Sequence, residues 1–105
     1  MELVVETYNL MKLMPKTEIY SLCDQMKRAA VSVPSNIAEG QQRKSTKEFI
    51  NFLSISRGSV AELETQYLLC VRLGFLRETQ VKEVLIICND VGMMLNALIK
   101  RLSNK

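Results

Sequence analysis

A net charge of +3 on 105 residues (14 Lys and Arg, 11 Asp and Glu), 48% hydrophobic content and only four Gly and two Pro describe one small domain of few, long elements. The absence of histidine removes the commonest general base and metal ligand, and so mild a charge permits a polyanion partner without arguing for one. Three widely spaced cysteines, Cys23, Cys70 and Cys88, match no metal or disulfide framework and read as buried thiols in a reducing compartment.

The opening stretch, MELVVETYNL, carries acids within a short apolar run, so no secretory leader is expected. No segment has the uncharged length of a membrane span, and a soluble cytoplasmic protein is the expectation. A first helix is predicted over residues 2–14. Val4, Tyr8 and Met11 share its inner face, Leu3, Leu10 and Met14 lie beside it, and Pro15 stops it. A second helix is predicted over 18–40, capped by Thr17. Ile19, Cys23, Met26, Ala30, Val33 and Ile37 form the seam of a bundle helix. Pro34 falls inside that run, so a kink is expected there, with a break capped by Ser32 or Ser35 as the alternative. Gly40 is placed as the C-terminal cap.

Ser45 and Glu48 make a capping box at the start of a third helix, predicted over 46–73. Its seam is Phe49, Leu53, Ser56, Val60, Leu63, Tyr67 and Cys70. Gly58 sits mid-helix at a cost of about 1 kcal/mol, which implies a close helix approach. Gly74 ends the helix, and Phe75 and Leu76 fold back over it. A fourth helix is predicted over 78–102 on Val81, Val84, Cys88, Val91, Leu95, Leu98 and Leu102. The expected fold is all-α, a single up-down-up-down antiparallel four-helix bundle.

A second set of apolar residues lies off these seams: Tyr20, Val31 and Ala38 on the second helix, Ile50, Ala61, Leu68 and Phe75 on or just after the third, and Ile86, Met93 and Ala97 on the fourth. Their alignment predicts a self-association surface and a closed homo-oligomer.

The block Ala29-Ala30-Val31-Ser32-Val33-Pro34-Ser35-Asn36-Ile37-Ala38-Glu39-Gly40 is followed by Lys47-Glu48-Phe49 and by Ser59-Val60-Ala61-Glu62-Leu63-Glu64-Thr65-Gln66. Together they closely resemble the four-helix bundle proteins of the 23S rRNA intervening-sequence family, some of which are encoded inside insertions in bacterial 23S rRNA genes. Pro34, Ser35, Asn36, Glu39 and Gly40 carry the signature, which reads as structural. Members commonly have a longer first helix than this chain shows. The resemblance implies a homopentameric ring and a relation to the accessory protein of diversity-generating retroelements, which works with nucleic acid. It implies no activity.

No catalytic residue, metal site or cofactor is assigned. The four glycines are scattered and form no phosphate loop, and the thiols sit at core phase. Glu39, Glu62 and Glu64 read as surface pairs. Asn36 and Glu39 are expected to serve backbone groups freed by Pro34 or to bond across a subunit boundary. Two basic clusters remain, Arg43, Lys44 and Lys47 around the second turn and Lys100, Arg101 and Lys105 at the chain's end, and antiparallel topology places both at one end of the bundle. They are the candidate contacts to RNA or DNA, with phosphate recognition that is salt-sensitive and independent of sequence. No aromatic lies near them in sequence to suggest base stacking. The expected protein is a non-enzymatic, RNA-associated scaffold, and the alternative is a protein-interaction adaptor.

Overall fold

The computed structural model describes residues 1–15 and 20–104, and among these every regular element is an α-helix. The elements are α1 (Glu2–Met11), α2 (Tyr20–Gln41), α3 (Thr46–Arg72) and α4 (Glu78–Ser103). α1 packs on α2 and α4, α3 packs on α2 and α4, and the backbones of the two diagonal pairs do not approach. The predicted start of the second helix at residue 18, its Thr17 cap and Ile19 lie outside the described residues.

The core follows the heptad phase. Met26, Ala30 and Val33 of α2 are buried, as are Leu53, Ser56, Val60, Leu63, Tyr67 and Cys70 of α3 and Val81, Val84, Cys88 and Leu95 of α4. Cys23, Ile37, Phe49, Val91, Leu98 and Leu102 are partly buried against them. The first helix departs from its prediction. It ends at Met11, and Met14 is buried in the turn that follows. Its inward residues are Leu3, Thr7, Leu10 and Met11, whereas Tyr8 is exposed beneath the Lys27 ammonium, 5.1 Å from the ring centroid. Thr7 points inward because the buried Tyr67 hydroxyl donates to its Oγ1 at 2.7 Å. That bond joins α1 to its diagonal partner and sets α1 level with the C-terminal half of α3.

Three glycine readings resolve differently. α2 is helical through Pro34 and on to Gln41, so Gly40 is a buried helical residue and not a cap. A Cβ there would lie 2.8 Å from both Phe49 Cδ1 and Phe52 Cβ, so glycine is what lets α2 and α3 converge. At Gly58 a Cβ would meet nothing within 4 Å, which overturns the expected close approach. Gly74 does end α3 with φ at 79°, while the Phe75 amide donates back to the Cys70 carbonyl at 2.8 Å.

The α3 start is capped as predicted on one side only. The Glu48 amide donates to Ser45 Oγ at 3.1 Å, but the Glu48 carboxylate takes the Ser45 hydroxyl at 3.1 Å and not its amide. At α4 the return half forms instead: the Arg77 amide donates to Gln80 Oε1 at 2.9 Å, while the Gln80 amide donates to the Arg77 backbone carbonyl at 3.0 Å.

Candidate functional site

Small polar residues mark where α2 crosses α3. Pro34 has no N–H, so the Ala30 carbonyl loses its usual donor. Around that point Ser56 Oγ donates to the Val33 carbonyl at 2.9 Å, and Ser32 Oγ lies 2.8 Å from Ser59 Oγ. Asn36 Nδ2 donates to both the carbonyl and Oγ of Ser32, each at 2.9 Å. Asn36 thus serves the Ser32 carbonyl rather than the one Pro34 frees, and Glu39 pairs with Arg43 at 2.8 Å. Ser35 is exposed. The signature block therefore builds the helix crossing. Periodicity flagged Ser56, but Ser32, Ser59 and Thr7 were missed because their inward aim depends on a partner in another helix.

The α2–α3 turn and the C-terminus of α4 share one end of the bundle. Lys44, Lys47, Lys100 and Arg101 are exposed there, and Lys105 lies outside the described residues. The fifth described cation, Arg43, is committed elsewhere: its guanidinium bonds Glu39 and lies 4.8 Å from the Phe52 ring centroid. That contact also supplies the aromatic neighbour not apparent in the sequence. Glu39 and Glu48 are the acids closest in sequence to the turn. One is held by Arg43 and the other by Ser45.

Of the predicted association surface, Tyr20, Val31, Ala38, Ala61, Leu68, Ile86, Met93 and Ala97 are exposed. Ile50 is half-buried, and Phe75 packs on the core, which removes it from the free surface. Leu68 opens onto a groove of about 660 Å³ between α3 and α4, floored by Val71, Val81 and Leu85 and edged by Arg72, Glu78 and Lys82. Among the described residues no helix is long and apolar enough to cross a membrane.

The thiols are held in their protonated form. Burial, with a contribution from Glu64, pushes Cys88 up to about 12. Burial and the neighbouring Cys23 push Cys70 up to about 11, and burial raises Cys23 against the opposing pull of Lys27. A thiol whose folded pKa exceeds its ordinary value of 9.0 keeps its proton longer in the folded chain. Its contribution to stability is therefore whole below about pH 9 and drains as pH rises toward 11 and 12. The urea midpoint is expected to fall across that alkaline window, and native alkylation to reach half-exposed Cys23 well before Cys70 or Cys88. A midpoint that is flat through the window would contradict this reading.

Comparison with known proteins agrees with the architecture. The family model described as 23S rRNA-intervening sequence protein matches residues 1–97. A crystal structure of a protein with unknown function, from the S23 ribosomal protein family of Bacteroides thetaiotaomicron, is similar with a TM-score of 0.87 and 27% identity, over 94% of this chain and 93% of that one. No curated protein matches.

Proposed function

The chain belongs to the 23S rRNA-intervening sequence protein family, and from that premise we propose that it is a non-catalytic, self-associating scaffold that holds RNA by its phosphates. The observation that carries this reading is the basic end. Lys44, Lys47, Lys100 and Arg101 are exposed together, none of them in a salt bridge among the described residues, and the two acids beside the turn are already occupied. A flexible ammonium suits a phosphate, and the contact is blind to base identity. Assembly into a ring of five through the exposed apolar residues, as the resemblance to the intervening-sequence family implies, would multiply the charge at that end and turn weak contacts into avidity. An adaptor that docks a protein is the second reading, favoured by the apolar groove between α3 and α4.

Titration of a labelled structured RNA at rising salt separates the two. Four neutralised phosphates predict a loss of about a hundredfold in affinity between about 50 and about 200 mM salt. Replacing Lys44, Lys47, Lys100 and Arg101 together by Gln should abolish binding and its salt dependence while leaving the helical content unchanged. RNA binding that ignores both salt and this variant would overturn the phosphate-contact reading, and no RNA binding even at low salt would overturn the RNA reading in favour of the adaptor.

A further inference from the structure

Sulfur is scattered along the sequence and gathered in the fold. The Cys70 thiol of α3 donates to the Met26 thioether of α2 at 3.6 Å, and both side chains are fully buried. Cys23 stands three residues before Met26 and so one turn away on the same face of α2. α2 and α3 run antiparallel, and the register that sets Met26 on Cys70 and Ser32 on Ser59 brings Cys23 level with Cys70. The nearness of the two thiols also shows in the upward push that Cys23 exerts on Cys70. Two thiols and a thioether thus converge at the end of the bundle away from the basic turn.

The spacing suits a metal ion. A sulfur ligand binds its metal at about 2.3 Å, which holds two ligands of one ion about 4 Å apart. Cys70 and Met26 are already at 3.6 Å, so little movement is needed. The donor set chooses the ion. A thioether and thiolates select soft Cu(I), whereas a structural zinc site needs four ligands drawn from Cys, His and carboxylates. Among the described residues no three of His, Cys, Asp and Glu gather in that way. Asp24, the carboxylate next to Cys23 in sequence, is held by Arg28 at 2.9 Å.

Charge and access agree. Cu(I) bound by two thiolates carries one negative charge, and the Lys27 ammonium acts on Cys23 from the next turn of α2. Cys23 is half-exposed and opens onto a cleft of about 170 Å³, where Met11 and Met14 add two more thioethers beside Lys27. An incoming soft ion therefore meets sulfur before it reaches the buried pair.

We propose that Cys23, Met26 and Cys70 form a binding site for one Cu(I) ion. Binding makes two thiolate–copper bonds and one thioether–copper bond, and it releases the two thiol protons to water without electron transfer. The site goes beyond the RNA reading and shares no residue with it.

The test titrates Cu(I) anaerobically into the full, reduced chain, with glutathione and the chelator bicinchoninate as competitors. One ion per chain should be held against glutathione, and X-ray absorption at the copper edge should show three sulfur neighbours. Cys23→Ser, at the half-exposed position, should lower the affinity by at least about a hundredfold, the upper end of what loss of a supporting residue around a metal costs. Met26→Leu keeps the volume, so the chain still folds, and should leave two sulfur neighbours with affinity down about tenfold. Cys88→Ala and Met94→Leu remove sulfur elsewhere and should change neither readout. Replacing Lys44, Lys47, Lys100 and Arg101 by Gln should leave copper binding unchanged, so the two readings fail separately. Copper surrendered in full to glutathione, three sulfur neighbours retained in Met26→Leu, or a loss in Cys88→Ala equal to that in Cys23→Ser would each overturn the proposal.

Discussion

Tyr67→Ala is expected to cost about 3–5 kcal/mol, as truncation of a buried aromatic does. That is a large share of the total stability of a domain this small. Tyr67 is fully buried in the C-terminal half of α3, and its hydroxyl donates the bond that ties α3 to α1, its diagonal neighbour. The ring and the hydroxyl can be weighed apart. Tyr67→Phe keeps the packing but leaves Thr7 Oγ1 without its partner in a buried site, a cost of about 1–3 kcal/mol. Adding Thr7→Val to that variant removes the orphaned group and should recover most of the loss. A double-mutant cycle by urea denaturation checks this. If Thr7→Val in the Tyr67→Phe background gives no recovery, the Thr7–Tyr67 bond does not hold α1 in place.

Gly40→Ala should destabilise by about 1–3 kcal/mol, against the direction of helix propensity. Within a helix, alanine normally gains about 1 kcal/mol over glycine. Here the new methyl would sit 2.8 Å from Phe52 Cβ, an atom fixed to the α3 backbone that cannot swing aside. α2 and α3 would have to separate at the end that carries the basic turn, and the stacking of Arg43 on Phe52 would loosen with them. Gly58→Ala is the internal control. It meets open space and should raise the melting temperature, by about 4–8 °C per kcal/mol gained for a domain of this size. Opposite signs at the two positions, measured by thermal melts, are the expected result, and a stabilising Gly40→Ala would refute the close approach.

These two glycines also show where the sequence was legible. The helices and their seams could be read because burial along a bundle repeats with the heptad, and Leu63 or Val84 declares its face by spacing alone. A glycine declares nothing about its neighbour. Gly40 follows the apolar run and so reads as a terminus, but its meaning comes from Phe49 and Phe52 on another helix. Gly74 could be read because the residues that answer it, Cys70 and Phe75, are local. Thr7 and Tyr8 were exchanged for the same reason as Gly40. By hydrophobicity Tyr8 belongs inside, yet a polar partner sixty residues away turns Thr7 inward and leaves Tyr8 to Lys27. At the basic end, topology was enough to bring the two clusters together. It could not show that Arg43 is engaged by Glu39 and Phe52, because that depends on the rotamers of the folded turn.

The shortness of α1 has a thermodynamic meaning. Ten residues in water are below the length at which an isolated helix persists, because nucleation costs more than so few propagation steps return. Coiling and docking of α1 are therefore a single cooperative event. A detached helical segment is thus disfavoured, and the Thr7–Tyr67 bond is expected to form and break together with the helix that carries it.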